Sequence, residues 1–352
     1  MRLGIIITSY NSEKTLENTI NCLLKFKKIK EKIYIVLIDD NSNDKTIDIA
    51  NKALRENLID KIHFNKKNLG PSYSRNVGIK LCKNTDYLTF LDADDEINTE
   101  FFDILIKEKN IYDLIIFNYS LTSQNKKITA SNFGNSRVLQ NQEIKKYFYK
   151  FLLQPNNNNL FNHCWAKIYK TKNFIKTKKN FFNPKLYISE DTDFVFRYLL
   201  KYDKIKYINF SMYTHYTSHK NKDFKTKASF ANNHPLIHQI SFLHVVESAK
   251  KYLIKGKNNY INMQKRINHC IGAYTIIYTI RSCMRVISIK EFLKNYLFWK
   301  KIYNKKIFRK AIYDYNYANA GISASKLLPI LIRNKFYFIA ILYACILCKK
   351  RY

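Results

Sequence analysis

Glycine, acidic residues and long apolar runs are all scarce in this 352-residue chain, and each shortage removes a class of protein. With seven glycines there is no G-x-G-x-x-G loop, so a dinucleotide-binding fingerprint is absent. The uncharged run from Phe336 to Cys348 spans about 20 Å as a helix, against a hydrocarbon core of about 30 Å. It reads as a buried or interfacial helix rather than a membrane span. Seven cysteines, at positions 22, 82, 164, 270, 283, 345 and 348, follow no framework spacing, which fits a reducing compartment. Cys345 and Cys348 form a close pair without a second pair nearby, so zinc is not expected there. The opening Met-Arg-Leu-Gly-Ile-Ile-Ile reads as a strand, without the apolar region and cleavage site of a secretory signal. No internal repeat is visible.

Acidic residues number 27 against 61 Lys and Arg, a formal charge of +34. The imbalance is uneven. Residues 216–352 hold 26 basic residues and four acids (Asp223, Glu247, Glu291 and Asp314), so this part carries +22 and residues 1–215 carry +12. Such an excess suggests an anionic partner, either lipid headgroups or nucleic acid. The plain alternative is a Lys- and Asn-rich composition reflecting an AT-rich genome. No named nucleic-acid motif accompanies the charge.

What is present is a regular alternation in the first half. Strand patterns at Leu3 to Thr8, Ile33 to Asp39, Lys61 to Asn65, Tyr87 to Leu91 and Asp113 to Tyr119 alternate with helix patterns such as Leu16, Ile20, Leu23 and Leu24. That rhythm predicts an α/β layer fold with a parallel, doubly wound sheet. Polar clusters follow the strands: Thr8-Ser9-Tyr10-Asn11, Asp39-Asp40-Asn41-Ser42, Asn68-Leu69-Gly70-Pro71 and Asp92 to Asp95. Ligands in such sheets bind beyond the carboxyl ends of the strands, so four strands deliver polar groups to one rim. After residue 220 the alternation stops. Phe242 to Leu253 reads as an amphipathic helix and Ile267 to Ile280 as a buried central one. Leu297 to Tyr313 interleaves Lys pairs with apolar pairs and shows no clean helical face.

The densest signal is Leu91-Asp92-Ala93-Asp94-Asp95, three carboxylates within four residues at the end of an apolar strand. Mutual repulsion calls for a compensating cation, and a hard divalent metal with oxygen ligands is the natural candidate. The same acids would also suit the start of a following helix. Together with Ile5 to Asn11, Ile38 to Asp44, Asn68 to Gly78 and Ser189-Glu190-Asp191-Thr192-Asp193-Phe194, this motif resembles glycosyltransferase family 2, inverting enzymes with a GT-A fold. The resemblance covers residues 1 to about 215, and the remaining 137 residues match no named family.

The resemblance implies a GT-A catalytic domain over residues 1–220; charge and helix patterns make 221–352 a basic, mostly helical region expected to serve membrane docking, acceptor binding or oligomerisation. It implies a nucleoside diphosphate sugar as donor, with UDP expected, Mn²⁺ or Mg²⁺ as cofactor, and a glycan or lipid-linked acceptor. Thr8, Tyr10, Asp40, Arg75, Asp92 and Ala93 are expected at the donor. Asp94 is expected on the metal, with His219 a weaker ligand and His215 nearby. Asp191 is the expected general base, with Glu190 its neighbouring alternative. Trp165 is expected on a sugar ring or in the core, Arg75 on phosphate or bracing the rim acids, and Asp191 alternatively caps a helix. Gly70 suits a tight turn and Gly78 close helix packing. The location expected is the bacterial cytoplasm, peripheral to the inner face of the plasma membrane, with homo-oligomerisation open and no nucleic acid as partner. A nucleotidyltransferase, or a non-catalytic basic protein binding nucleic acid or membrane, is the rival reading.

Overall fold

The computed structural model describes residues 1–108, 111–123, 126–129, 133–153, 160–175, 181–186, 189–216, 260–283, 286–319 and 325–351. The chain divides into two compact units, Met1–Asn141 with Leu160–Phe224, and Gln142–Asn159 with Lys225–Tyr352.

The first unit opens with β1 (Leu3–Ser9), whose Leu3, Ile5, Ile6 and Ile7 are fully buried, as a strand covered on both faces requires. Then come α1 (Leu16–Asn21), β2 (Ile33–Asp39), α2 (Thr46–Arg55), β3 (Lys61–Phe64), α3 (Pro71–Leu81) and β4 (Tyr87–Asp92). β1 pairs in parallel with β2 and β4, and β2 with β3, as the alternation predicts. In register, Thr8 lies opposite Ile38 on one side and Asp92 on the other, so the polar residues that follow share a rim. Gly70 takes φ +83° just before Pro71, a backbone region open to glycine, and Pro71 then starts α3 at a position where its missing N–H costs nothing. At Gly78 a Cβ would collide with Ile6, so this glycine lets α3 lie close on β1.

Beyond β4 the sheet departs from the expected parallel order. Next along the chain are β5 (Glu96–Ile97), α4 (Phe101–Lys107), β6 (Leu114–Ser123), β7 (Lys126–Thr129), β8 (Arg137–Val138) and α5 (Asn141–Leu153). They are followed by β9 (Lys167–Lys170), α6 (Lys172–Ile175), α7 (Glu190–Lys201) and β10 (Ile205–Tyr216). The strand order is β3-β2-β1-β4-β9-β6-β10-β5, with β7 beside β6 and β8 beside β10. β9 is antiparallel to both β4 and β6, while β6 and β10 are parallel. The sheet is therefore mixed. β9 is only Lys-Ile-Tyr-Lys, too short for its alternation to stand out, yet it joins two blocks of parallel strands.

In the second unit α5 is followed by α8 (Tyr260–Ser282), α9 (Ile289–Tyr303), α10 (Lys306–Asp314), α11 (Leu327–Arg333) and α12 (Tyr337–Arg351). α8 packs against α10 and α12 and buries Ile267, Ile271, Ile276 and Ile280, so the expected central helix is present. Its Thr275 and Thr279 hydroxyls donate to the carbonyls four residues back, which satisfies them in an apolar setting. The run Leu297 to Tyr313 lacks a clean face because it spans two helices that break at Asn304 and Lys305. Trp299 and Ile302 are buried before the break, Phe308, Ala311 and Ile312 after it. The amphipathic pattern at 242–253 lies outside the described residues. Among the described residues no helix is long and apolar enough to cross a membrane.

Candidate active site

The rim begins where β1 and β2 end. Asp39 is fully buried and accepts from the Ser9 hydroxyl (3.2 Å) and from the amide (2.9 Å) and hydroxyl (2.6 Å) of Ser42, so it fastens its own turn. Asp40 accepts from Asn65 Nδ2 (2.7 Å) and from the backbone amides of Leu69 (2.9 Å) and Gly70 (2.7 Å). A carboxylate offers about four acceptor sites, so Asp40 anchors the turn into α3 and keeps about one for a ligand. The loops after β1 and β2 are stitched together: Asn11 N–H donates to Ser42 Oγ, and Asn43 N–H donates to Asn11 Oδ1, both at 2.9 Å. Asn11 (φ 49°) and Asn41 (φ 67°) occupy the left-handed region that asparagine tolerates. Tyr10 stands exposed on this rim and Thr8 is half-buried at the strand end.

The loop after β4 is held on both sides. Asp92 Oδ1 accepts from Arg75 Nη2 at 3.1 Å. Asp95 is fully buried and accepts from the Tyr213 hydroxyl (2.8 Å) and the Tyr216 amide (2.9 Å), and its carboxylate lies 2.9 Å from His215 Nδ1. β10 thus clamps one end of the loop and α3 the other. Between them, Asp94 is half-buried and has no hydrogen-bond or ion-pair partner among the described residues. Carboxylate oxygens of Asp92, Asp94 and Asp95 lie within 4.8 Å of one another, an all-oxygen donor set that fits a hard divalent cation. Ala93 sits in the core between these acids, so its side chain is not available to a donor.

Arg75 joins this loop to the start of α7. Its Nη1 donates to Asp191 Oδ1 at 2.6 Å and to Glu190 Oε1 at 3.1 Å. The guanidinium is 5% exposed and serves three carboxylates, while its Nε has no partner among the described residues. The pairing shows Arg75 bracing the rim acids; any phosphate contact would be additional. Burial opposes the charge on Arg75, but Asp191, Asp92 and Glu190 together raise its pKa well above the ordinary value. One guanidinium is thus shared among three acids. Burial, aided by the Asp191 charge and opposed by Arg75, pushes the Glu190 carboxyl up to about 7. Burial also raises Asp191, with Arg75 opposing it. Asp191 further accepts hydrogen bonds from Cys164. The helix-cap alternative for Asp191 does not hold: Ser189, at φ 59°, is the N-cap, and Asp191 lies inside the first turn, where the positive helix end favours an acid.

Trp165 does not present a face to a sugar. It is 3% exposed, with His163 stacked on it at 4.4 Å and Tyr213 at 4.6 Å, both within 7° of parallel. Tyr119 meets its edge at 4.8 Å, so it packs the floor behind Asp95. Beside it, Lys167 is buried and donates to the carbonyls of His163 (2.7 Å) and Trp165 (3.3 Å). Burial lowers its ammonium to about 7, with the Cys164 and Asp191 charges opposing that shift. His219 lies outside the described residues; among the described residues His215 reaches the acid loop. Tyr213 was not expected here, and Lys167 carried no role of its own within the segment expected to line the cleft; Asp95 was expected as the third carboxylate of the acid loop.

The family model for glycosyl transferase family 2 matches residues 4–177. An uncharacterized glycosyltransferase of Haemophilus influenzae is 38% identical over 96 residues, covering 27% of this chain and 37% of that protein. A cholesterol galactosyltransferase of Borreliella burgdorferi is 25% identical over 225 residues, covering 61% and 60%. This chain therefore spans less than two thirds of the length of these relatives. The structure of Staphylococcus aureus TarS 1-349 in complex with UDP superposes with a TM-score of 0.62 over 98% of this chain and 90% of that one, at 17% identity, and the same segment has been solved with UDP-GlcNAc at a TM-score of 0.60. The mixed sheet with its helices and the helical C-terminal region have the GT-A fold. Residues 4–177, just under half of the chain, therefore resemble a glycosyl transferase family 2 domain.

Proposed function

We propose that this protein is an inverting, metal-dependent glycosyltransferase. It moves a sugar from a nucleoside diphosphate, UDP, to a hydroxyl of a glycan or lipid-linked acceptor in bacterial surface-polysaccharide assembly. The observation that carries this reading is the link through Arg75 between Asp92 on the acid loop and Asp191 at the start of α7, which couples a donor-side group to a base. TarS binding of UDP and UDP-GlcNAc supports the choice of nucleotide.

The nucleobase packs on the exposed ring of Tyr10, and the remaining acceptor site of Asp40 takes a base N–H. Thr8 and Asp92 contact ribose or sugar at the rim. Asp94, with Asp92 and Asp95, would hold Mn²⁺ or Mg²⁺, which when bound would supply positive charge to offset that developing on the diphosphate. Asp191 takes the acceptor hydroxyl's proton as that oxygen attacks the anomeric carbon. The bond from that carbon to the diphosphate oxygen breaks on the opposite face, and the nucleoside diphosphate leaves with the electron pair. Burial makes Asp191 a stronger base than an exposed aspartate, while Arg75 fixes its position. Glu190 keeps a proton up to about pH 7, which limits repulsion beside the base. Seven free cysteines support a reducing compartment, the cytoplasm.

The test is nucleoside diphosphate release from a panel of UDP-, GDP- and dTDP-sugars, with Mn²⁺ or with chelator. The expected result is metal-dependent release from UDP-sugar, lost in Asp94→Ala and Asp191→Asn. Release of pyrophosphate instead would make the protein a nucleotidyltransferase, and no nucleotide binding at all would end the transferase reading.

A further inference from the structure

α12 has no charged residue from Tyr337 to Cys348, yet only one of its faces is covered. Tyr337, Ala340, Ile341 and Ala344 are buried, while Phe338, Ile339, Leu342 and Ile346 are about half exposed. A helix that is apolar all round is ordinarily enclosed by neighbours. This one is not. α9 continues the same surface: Phe338 packs on Phe292 (5.1 Å) and Tyr296 (5.6 Å), and beside those rings Ile289, Leu293 and Leu297 repeat every four residues with 46 to 81% exposure. Soluble monomers rarely expose contiguous apolar patches larger than a few hundred Å², and here seven large side chains are each 46 to 81% exposed.

We propose that this α9–α12 face docks the second unit on an anionic lipid bilayer. Charge identifies the occupant. Residues 286–351 hold fourteen Lys or Arg and two acids, Glu291 and Asp314. Glu291 is engaged in the capping box that starts α9, and Asp314 accepts from Asn268. At 100° per residue, Lys290, Lys294 and Lys301 flank the Ile289–Leu297 stripe on its outer side. Lys335 precedes α12, and Lys349, Lys350 and Arg351 close it. A second copy of this chain would bring like charge against like charge. Nucleic acid would satisfy the lysines and leave the exposed aliphatic side chains in water. A bilayer with anionic headgroups takes both, with α12 lying in the interface: its fifteen residues extend about 22 Å, short of the roughly 30 Å needed to span. The proposal stands apart from the transferase reading and supplies it with a location where lipid-linked acceptors reside.

Flotation of the full-length protein with vesicles of phosphatidylcholine alone or mixed equally with phosphatidylglycerol tests it. Wild type is expected to bind the anionic vesicles at least tenfold more tightly than the neutral ones. Leu342→Glu with Ile346→Glu should lose at least tenfold of that binding. Lys290→Gln with Lys294→Gln should lose about fivefold per lysine. All four positions are solvent-facing, and matching thermal midpoints establish that the variants fold; should the glutamate pair misfold, Leu297→Ser replaces it. Wild type that stays behind with the soluble fraction would overturn the proposal, as would equal flotation of the glutamate pair. A wild-type dimer that the glutamate pair dissolves, with flotation unchanged, would make the face a self-interface instead. Donor release measured without vesicles on the same preparations keeps the outcome separate from that of the transferase test.

Discussion

In the sheet unit, charge lies inside. Arg75, Asp95, Asp39 and Lys167 are each at most 5% exposed, and Glu190 and Asp191 are little more. In the helical unit, no carboxylate, lysine or arginine is buried among the described residues, whose interior polar groups are Asn268, His269, Thr275, Thr279 and Ser325. There the anomaly lies on the surface, as apolar side chains in water. Taking an ion out of water costs several kcal/mol unless it is paired, so a fold that encloses six ionisable groups at one end of its sheet forgoes stability for chemistry. A fold that leaves a helix face apolar and uncovered forgoes solubility for association. The difference teaches where to look in each unit: for reactive groups, inside the first; for a partner, outside the second.

The largest test of this contrast is Arg75→Met. With Arg75 gone, Asp92, Glu190 and Asp191 lose the guanidinium that pairs all three, and loss of one partner from a buried pair costs about 3–5 kcal/mol. Urea denaturation at pH 8 should show that loss, and it should shrink at pH 5, where the acids can take up protons. No change at pH 8 would mean that the network is not coupled to stability. An equally large cost from neutralising any lysine on α9 would erase the contrast between the units.

A smaller effect, with two opposite slopes, comes from Glu190 and Lys167. The folded-state Glu190 carboxyl is raised to about 7, so between pH 4.5 and 7 the folded protein binds more protons than the unfolded chain, and stability falls as pH rises through that window. Lys167 is lowered to about 7, so from pH 7 to 10.5 the unfolded chain binds more protons and stability rises with pH. The metal-free protein should therefore have a stability dip near neutrality, on the order of a few kcal/mol deep. Glu190→Gln should reduce the acid-side slope, leaving the part due to the raised Asp191, and Lys167→Met should flatten the alkaline one. A monotonic profile in the wild type would contradict both assignments.

The smallest effect belongs to the helical unit. Ser288 caps α9, its hydroxyl accepting from the Glu291 amide at 3.2 Å while Glu291 reaches back to the Ser288 amide. Ser288→Ala should cost about 1 kcal/mol, independent of pH between 6 and 9 and without effect on donor release. A loss of donor release in that variant would show that the units are not functionally separable.

Much of the sheet unit was legible because its strands are long and apolar and its polar groups follow them: β1, β2 and β4 and the four rim clusters stand where the pattern puts them. β9 was not, because a four-residue strand carries too little periodicity to reveal that it runs antiparallel. Trp165 was ambiguous between sugar platform and core, since only the fold brings His163 and Tyr213 to its two faces. The same holds for Arg75, whose three acid partners are 17, 115 and 116 residues away in sequence. In the helical unit the basic density was plain, but the apolar face was not: Leu297 to Tyr313 blends two helices, and the exposure of α12 depends on what its neighbours leave uncovered.

The proposed mechanism divides the work between two acids: Asp94 would hold the cation and donor, and Asp191 would remove the acceptor proton. Calorimetric titration of UDP with and without Mn²⁺, run beside turnover of a UDP-sugar, tests it most directly. The account predicts that Asp94→Ala loses the Mn²⁺-dependent part of UDP affinity, whereas Asp191→Asn keeps it and still turns over about 10²- to 10⁴-fold more slowly. If Asp94→Ala binds UDP with undiminished Mn²⁺ dependence, or Asp191→Asn turns over like the wild type, the assignment of the site is wrong.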